Sequence, residues 1–555
     1  MKWMNNLFSP PQPKSLRMAW GLLLLVLVAA CAPRPIPTAD ATPTPHATPS
    51  IAAPTPASNA PAMPTPTVAL PEGGAITIGV IGNATLEMNV MPEIVQDAVF
   101  DSLLRVNPTN GALEPGLAES FQVSNDGLTI TFRLRPNVRW HDDTPLTADD
   151  VVATIRAFSS PDFRGTPLTD FTNLVRATAI DAQTIQLTFT DLYCPALASI
   201  GTLKILPRAV ASSANFPKLV PAQMIGTGAF RFVSLSNGQF TLERNANYFR
   251  GAPHIDSLTI RVFADSSALR DAFTTNQIDV MLADPGTNRA DAKTFAFDAN
   301  EFIALLFNVD TIALNDPRVR QALTYAIDRN ILLSDLGGQG TFVDTSMLPG
   351  HWAFPANLPR YSFDPAKARQ LLADAGWRAN SDGILRKNNQ PLRLELYTQA
   401  DDPILEPLAF RIREMLANVG VQVVLQLDDR AGWVTRAFAH RFDLLLLARK
   451  IPLDPDQRWY WQSDQNTKND GFNFGSYANP RVDALLKAAL RVPGCEMNAR
   501  AAIYGEIHRT LVADAPVAFL LAPKKYLVAR ERVLNLAPSS FAGAFWNLNE
   551  WRVKP

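Results

Sequence analysis

The chain has 555 residues and a formal net charge of −1, from 51 basic and 52 acidic side chains. This near-neutrality gives no electrostatic case for a nucleic-acid or polyanion partner. The length is sufficient for two lobes with substantial hydrophobic cores, while cysteine is sparse, with three in the whole chain.

Residues 1–30 have the pattern of a secretory signal peptide. Three basic residues and no acid precede an apolar run over residues 18–30, which is too short to span a bilayer comfortably and ends in Ala29-Ala30. Cys31 follows directly and resembles the modified cysteine of a bacterial lipobox, which implies that Cys31 is lipidated and becomes the mature N-terminus. An ordinary signal with a chance cysteine at this position is the alternative.

Residues 31–71 are predicted to form a Pro/Thr/Ala-rich linker. Residues 32–71 contain twelve Pro and seven Thr and no aromatic side chain, and such a segment cannot bury enough apolar surface to offset its ordering entropy. Two interpretations fit this composition: a stiff stalk that holds the folded body away from a membrane, and a disordered leader with no spacing role. Without residues 1–30 the formal net charge becomes −4.

The folded body opens with a predicted buried strand over Ala75–Ile81 and a helix over Glu93–Leu104. A hairpin and a second helix follow. Residues 128–134 alternate apolar and polar side chains at period two, after an Asn-Asp-Gly turn whose residues tolerate positive φ. Thr147, with Asp150 three residues later, has the pattern of a helix N-terminus.

These motifs resemble the signature of the family 5 extracellular solute-binding proteins, the peptide-, dipeptide- and nickel-binding components of ABC importers. The resemblance lies in PGLAE at residues 115–119, the strand at 129–134, RWHD at 139–142 and PLTADDV at 145–151. Asp143 stands where the family usually has Gly, and the turn is expected to persist because Asp enters left-handed conformations more readily than most residues. The block has the pattern of a packed hairpin and helix, which favours a scaffold role over a site.

Further segments match the family in the same order along the chain. Met224–Val233 resembles its Gly-Thr-Gly-Pro-Tyr turn, and its glycines predict a close backbone approach, with phosphate binding as the weaker alternative. Arg244–Asp256 also matches, and Asp316–Asn330 is predicted as one helix with Asp316 as its N-cap. From residue 363 onward, strands and helices alternate at a spacing typical of a largely parallel sheet covered on both faces.

The resemblance covers about residues 72–550 and implies an α/β, type II, periplasmic-binding-protein-like fold with two lobes and mixed sheets in each. The implied boundaries are residues 72–305 and 524–555 for lobe I, with an extra subdomain at about 108–222, and 306–523 for lobe II. The hinge is expected near Leu305–Val309 and Leu520–Lys524. A solute that touches both lobes would shift the population from an open to a closed form.

The function implied by the resemblance is that of an extracytoplasmic solute-binding lipoprotein of an ABC importer, which captures a peptide-like or other small polar solute. Its expected partners are that solute, the permease with its cytoplasmic ATPases, and the membrane through the lipid anchor. A monomer is expected, at the outer face of the cell membrane or in the periplasm. Two alternatives stay open: a lipid-anchored extracellular hydrolase, and a transport-inactive sensor or scaffold with the same fold.

No catalytic, metal or cofactor site is predicted. The six histidines have no metal-binding spacing, and the sequence has no His-Glu-x-x-His, Cys-x-x-Cys, Gly-x-Ser-x-Gly or Walker motif. Adjacent acids such as Asp142-Asp143 are typical of solvated turns and helix caps. The hydrolase alternative therefore has no motif in its favour.

Cys194 and Cys495 remain in an oxidising compartment if Cys31 is lipidated. A bridge between them would close a loop of about 300 residues and contribute on the order of 5 kcal/mol in the chain-entropy model. The resemblance places the two cysteines on different lobes, where a bond would hinder closure. The bridged and the free state both stay open.

Four residues are candidate ligand contacts: Trp433, Arg449, Lys450 and Asp454. In the family's peptide binders, a strand like Arg441–Leu447 leads to Gly-Trp and then to an Asp that pairs with the free amine of the peptide. In this sequence Ala448-Arg449 stands in place of Gly-Trp, and Ile451-Pro452 falls near the position of that Asp unless a gap places Asp454 there.

The two cationic residues at the end of this strand, Arg449 and Lys450, predict the charge of the ligand. Because strand C-termini in parallel sheets point into the ligand crevice, both cations are predicted to face the cleft and to favour an anionic or polar neutral solute. The alternative is that both side chains are solvated. Trp433 is either a flat ligand contact or part of the core.

Overall fold

The structure is a computed structural model that describes residues 71–554, apart from 161–162, 164–170, 172, 284–289 and 467–470. The predicted signal peptide, Cys31 and nearly all of the linker lie outside the described residues. Within the described ranges, no helix is both long enough and apolar enough to cross a membrane.

The strands are, in chain order, β1 (Ala75–Ile81), β2 (Leu104–Val106), β3 (Leu113–Pro115), β4 (Ala118–Val123), β5 (Thr129–Leu134), β6 (Leu174–Ala179), β7 (Thr184–Phe189), β8 (Phe230–Ser236), β9 (Gln239–Arg244), β10 (Ser257–Phe263), β11 (Val280–Ala283), β12 (Ala292–Asp298), β13 (Glu301–Phe307), β14 (Gly340–Phe342), β15 (Arg378–Ala379), β16 (Leu385–Lys387), β17 (Gln390–Pro391), β18 (Arg393–Gln399), β19 (Gln422–Asp428), β20 (Leu444–Lys450), β21 (Val517–Arg530), β22 (Val533–Leu534) and β23 (Arg552–Val553). The α-helices are α1 (Glu93–Val99), α2 (Ala148–Ser159), α3 (Ala196–Gly201), α4 (Arg208–Ala211), α5 (Ser266–Thr274), α6 (Pro317–Tyr325), α7 (Arg329–Asp335), α8 (Pro365–Asp374), α9 (Leu405–Ala417), α10 (Arg430–Phe438), α11 (Arg458–Trp461), α12 (Pro480–Ala489) and α13 (Met497–Asp514). Turns of 3-10 helix lie at Pro221–Gln223, Ser463–Gln465, Pro493–Cys495 and Leu548–Glu550.

Two sheets share strand β21, which is long enough to belong to both. Its first part pairs with β13, and its second part, from Lys524 onward, pairs with β12 and then β11. The order across the joined sheets is β19-β18-β20-β13-β21-β11-β1-β10-β9-β8. We call the part from β19 to β13 the second sheet and the part from β11 to β8 the first sheet.

The chain passes between the two sheets at Ala299-Asn300, which joins β12 to β13, and again within β21. The second crossing lies in the segment expected as a hinge, Leu520–Lys524. The boundary expected after residue 305 instead falls inside β13, whose residues from Glu301 onward pair with β20. The continuous apolar run Phe302–Phe307 predicts a buried strand, but it does not show at which residue the strand begins to pair with its sheet.

Both sheets are mixed. In the first, β1 is parallel to β10 and β11, whereas β9 and β21 run antiparallel to their neighbours. In the second, β18 is parallel to β19 and β20, but β13 is antiparallel to β20 and β21. The largely parallel arrangement expected from the alternating strands and helices therefore holds only for the strands away from the crossing.

The second sheet is covered on both faces, as predicted. Ile303 and Leu305 of β13 pack in one hydrophobic cluster with α6, α8 and α9. Phe302 and Ala304 pack in another cluster with α12 and α13. Since successive side chains of a strand point to opposite faces, an uninterrupted apolar run is stable only between two layers.

A four-stranded antiparallel sheet, in the order β4-β5-β7-β6, forms the subdomain. Its β4–β5 hairpin was predicted from the sequence. At the start of α2, Asp150 Oδ2 accepts hydrogen bonds from the backbone N–H and the hydroxyl of Thr147 at 2.9 and 3.0 Å, as expected for this N-terminus. Asp143 has a φ of 65°, so the turn persists with Asp in the position of Gly.

Two predicted helices differ from the structure. The helix expected over Glu93–Leu104 ends at Val99, because Phe100 is extended and the chain continues into β2. The helix expected over Asp316–Asn330 is two helices, α6 and α7. Asp316 caps the first as predicted, and Asp328 accepts from the amide of Asn330 to begin the second.

Candidate functional site

A cavity of about 700 Å³ lies where the chain crosses between the two sheets. From the side of the first sheet it is lined by α1, the residues that follow it, and Lys525 of β21. Asn300 at the crossing and Leu453, which follows β20, line it from the side of the second sheet. A C-terminal segment, residues 539–549, adds aromatic side chains including Phe541, Phe545 and Trp546.

Helix α1 presents two carboxylates to this cavity. Glu93 and Asp97 are four residues apart, one helical turn, and both belong to the lining, while Val95 and Val99 face the core. Lys204 forms an ion pair with Asp97 at 2.7 Å. Burial opposes the charge of Lys204, but the Asp97 carboxylate outweighs it and raises the pKa of that ammonium. The like charge of Asp97, together with burial, raises the pKa of Glu93.

Asp101 is a buried carboxylate of the same lining, but it is held by the protein itself. The Thr227 hydroxyl and the Tyr248 hydroxyl each donate to it at 2.9 Å. Burial raises the pKa of Asp101, while these two hydrogen bonds act in the opposite direction. Burial and the neighbouring Asp101 also raise the pKa of Tyr248, so this phenol stays protonated.

The glycine turn positions Thr227 by close backbone contact, as predicted. A Cβ at Gly226 would lie 1.7 Å from the carbonyl oxygen of Val99, and one at Gly228 would lie 2.4 Å from that of Ala98. His141 holds the other side of the turn, since its Nδ1 accepts from the Gly226 amide at 3.2 Å and its Nε2 donates to the Gly228 carbonyl at 3.0 Å. Both ring nitrogens are thus used, which gives this histidine a structural role.

Arg449 and Trp433 lie in the hydrophobic core beside the second sheet, not in the cavity lining. Arg449 Nη2 donates to the Phe472 carbonyl at 2.9 Å, and the guanidinium lies 4.3 Å from the ring centroid of Tyr460. Burial lowers the pKa of Arg449 to about 10. Trp433 is 8% exposed and packs in the same cluster as Leu445.

Lys450 is exposed at the end of β20 and is not part of the cavity lining. Strand alternation explains why Lys450 and Arg449 do not act together. Leu445, Leu447 and Arg449 point to the face covered by α12 and α13, and Lys450 points to the opposite face. The expected pair of cations in the cleft therefore does not form.

Asp454 also has a structural role, because it forms an ion pair with Arg500. Leu453, its neighbour, is the residue of this segment that reaches the cavity. The structure thus brings none of the four predicted ligand contacts into the lining. Arg449, Lys450 and Asp454 were predicted from their positions at and after the strand end, and Trp433 from its place before the strand. The position of a residue in the chain does not tell where its side chain points when the sequence has a gap relative to the family motif, or when neighbouring residues of a strand face opposite sides of the sheet.

Cys194 and Cys495 are joined by a disulfide that links the subdomain to the second lobe, with 5.3 Å between their Cα atoms. Nearby, the Cys194 amide donates to the Leu490 carbonyl at 2.9 Å. Tyr193 donates to Asp456 at 3.3 Å and lies under the guanidinium of Arg458. The two elements are therefore tied at a point outside the cavity lining.

Several cavity residues were not singled out from the sequence: Glu93, Asp97, Asp101, Lys525 and the segment 539–549. The i, i+4 spacing of Glu93 and Asp97 on the predicted helix is a signal that could have placed these two acids on a common face. Among the described residues, no group of three or more His, Cys, Asp and Glu side chains is arranged to hold a metal ion.

Comparison with known proteins places the fold among solute-binding proteins. The family model described as "Bacterial extracellular solute-binding proteins, family 5 Middle" matches residues 112–471. Oligopeptide-binding protein AppA of Bacillus subtilis is 28% identical over 490 residues, which are 83% of this chain and 88% of AppA.

Solved structures of solute-binding proteins have a similar fold. NikZ of Campylobacter jejuni, in complex with Ni(L-His), has a TM-score of 0.68 and 25% identity, covering 86% of this chain and 99% of NikZ. The structure of AppA of Bacillus subtilis in complex with a nonapeptide has a TM-score of 0.66 at 24% identity. The match covers 88% of this chain and 100% of the AppA chain. The latter similarity shows the shared fold.

Two mixed sheets joined by a shared strand around a cavity define this molecule as a type II periplasmic binding protein. Of the relatives just named, AppA is an oligopeptide-binding protein and NikZ is in complex with Ni(L-His). The chain belongs to the bacterial extracellular solute-binding proteins, family 5, the extracytoplasmic substrate-binding proteins of ABC transporters.

Proposed function

We propose that this chain is the solute-binding component of an ABC importer, taking a peptide-like or other small polar solute into the cavity and delivering it to the permease. The observation that carries the proposal is the position of the cavity beside the strand that the two sheets share, lined mainly from the first-sheet side and reached from the other side by Leu453. A solute that touches both sides favours the closed form by its differential affinity. The volume of about 700 Å³ is also typical of a ligand site.

The lining supports a peptide-like solute. Aromatic surface from Phe541, Phe545 and Trp546 lies in the same cavity as charged Glu93 and Lys525. Such a mixture suits a solute that carries charged ends and apolar side chains together. The oligopeptide-binding relative AppA supports the same substrate class.

The proposal includes attachment to the membrane through Cys31, with residues 32–71 as the spacer. This part rests on the sequence: a basic and apolar leader, small residues before the cysteine, and a segment rich in Pro and Thr. The proposed lobes are residues 72–305 and 524–555 for lobe I and residues 306–523 for lobe II. A monomeric protein that docks on the permease is part of the same proposal.

The test is calorimetric titration of the full chain with a mixture of tri- to pentapeptides, followed by mass spectrometry of what is retained. We expect saturable, stoichiometric binding with no product formed. Phe545→Ala should weaken retention, whereas Phe410→Ala, at an exposed site on α9, should not. Steady product formation would overturn the proposal in favour of a hydrolase.

A further inference from the structure

A short loop, residues 539–543, carries Phe541 at its tip and is closed by its own hydrogen bonds. The Ser539 amide donates to the Gly543 carbonyl at 3.0 Å, and the Gly543 amide donates to the Ser539 carbonyl at 3.1 Å. Inside the loop, the Ser539 hydroxyl oxygen accepts from the amides of Phe541 and Ala542, each at 3.0 Å. The loop therefore fixes the place of the Phe541 ring.

This loop is anchored on the side of the first sheet. Ala544, which follows it, is buried in the hydrophobic cluster of that sheet. The Ser539 hydroxyl donates to the Pro108 carbonyl at 2.6 Å. The Ser540 hydroxyl accepts from the amide of Asp298, the last residue of β12, at 2.9 Å. Three neighbouring residues thus tie the loop to the first-sheet side of the cavity.

The Phe541 side chain reaches the other side. It packs against the hydrophobic cluster of the second sheet, on the face covered by α12 and α13. Its ring centroid lies 5.9 Å from that of His351, which is buried in the segment after β14. A Cβ on Gly111 would lie 3.3 Å from the ring, and one on Gly350 would lie 3.8 Å from it. We call Gly111, Gly350 and His351 the socket of Phe541.

A backbone hydrogen bond lies beside this socket. The Trp352 amide donates to the carbonyl of Asn110 at 2.8 Å. Asn110 belongs to the turn between β2 and β3, and Arg105 and Val106 of β2 line the cavity. Separating the two sides here would withdraw the Phe541 ring from its socket and break this hydrogen bond.

We propose that Phe541 is a positioning residue, which holds the two sides of the cavity together and couples their closure to the presence of a solute. Apolar aromatic surface buried in the socket favours the arrangement in which the sides meet. Because Phe541 also lines the cavity, a bound solute packs on the same ring and adds to that preference. The inference goes beyond the proposed function and rests on it only where a solute is concerned.

The experiment compares the full chain with Phe541→Ala and Phe541→Leu in the absence of solute. Small-angle scattering gives the radius of gyration, and hydrogen exchange gives the protection of residues 350–354. Phe545→Ala is the matched control, because it removes another ring of the same cavity, one that packs beside Trp551 in the cluster of the first sheet. Circular dichroism and exchange within β13 check that each variant is folded.

We expect Phe541→Ala to have a larger radius of gyration and faster exchange at residues 350–354, and Phe541→Leu to show a smaller change of the same kind. Phe545→Ala should change neither quantity. If Phe541→Ala does not fold, Phe541→Leu decides by the same criteria. An unchanged radius, with or without faster exchange, would overturn the inference, and so would an equal increase in Phe545→Ala.

Titration with the mixture of tri- to pentapeptides tests the coupling to solute. Phe541→Ala should bind the retained peptides at least about tenfold more weakly than the unmodified chain, since a smaller fraction of the protein is in the closed form. Unchanged or tighter binding would overturn the coupling. If the unmodified chain retains no peptide, the peptide-like substrate of the proposed function fails, whereas the scattering and exchange results still decide whether Phe541 holds the two sides together.

Discussion

Arg500 and Asp454 form a buried two-point ion pair, in which Nη1 and Nη2 of the guanidinium donate to Oδ2 and Oδ1 of the carboxylate at 2.8 and 2.7 Å. The side chains are 6% and 12% exposed, and Arg500 Nε donates to the Ala489 carbonyl at 3.0 Å. The Asp454 charge outweighs the effect of burial and raises the pKa of Arg500. The pair connects the segment after β20 to helix α13.

Replacement of Asp454 is expected to destabilise the fold. Asp454→Ala leaves a buried guanidinium without its counter-charge and should lower the free energy of unfolding by about 3–5 kcal/mol. Chemical denaturation is the measurement. As control, Glu506→Ala breaks the exposed pair with Arg481 and should cost less than about 1 kcal/mol. Equal effects of the two changes, or loss of solute binding without loss of stability at Asp454→Asn, would contradict the structural role.

The bond between Cys194 and Cys495 should hold the subdomain to the second lobe. Replacing both by Ser is expected to lower the free energy of unfolding by about 2–5 kcal/mol. Hydrogen exchange should speed up at residues 193–196 and 490–495 because the tie between them is lost. The control is the unmodified protein with reductant, which should behave as the double variant does. Finding two free thiols in the non-reduced protein would refute the bond.

Three histidines should make the protein less stable in mild acid. Burial lowers the pKa of His141 and His351 to about 4 and that of His508 to about 3, so each is neutral when folded. The unfolded chain binds protons at pH 6.5 and below, and the folded chain does not. Stability is therefore fully present above about pH 7 and falls as the pH drops toward 4, by about 1.4 kcal/mol per histidine at pH 5.5.

The measurement is the free energy of unfolding between pH 8 and pH 5. His351→Gln should flatten this dependence by about one proton, and it serves as an internal control because it leaves the other two histidines in place. A stability that is constant over this range, or that rises toward pH 5, would show that these imidazoles are protonated in the folded state.

Cys31→Ser should release the mature protein from the membrane, or leave it held only by an uncleaved signal. The reason is that stable anchoring depends on several buried acyl chains, each CH₂ contributing about 0.8 kcal/mol. Cell fractionation and metabolic lipid labelling give the readout. An unmodified protein that takes up no lipid label would disprove lipidation at this cysteine.

Local structure could be predicted well from the sequence alone. The β4–β5 hairpin, the N-terminus at Thr147, the cap at Asp316 and the close approach of the glycine turn were all read from short patterns. Such features depend on the conformational preferences of a few neighbouring residues, which the sequence lists directly. The family resemblance likewise rests on motifs of this kind, and it gave the two-lobed fold and the class of function.

The tertiary structure decided which side chains reach the cavity. Arg449 and Lys450 are adjacent in sequence, yet strand alternation places Arg449 in an aromatic core and Lys450 at the surface. Asp454 is bound by Arg500, which lies 46 residues away in the chain. Glu93 lines the cavity because of the packing of α1 beside the crossing of the two sheets. Contacts between distant segments depend on strand pairing and burial across the whole molecule, and no local spacing specifies them.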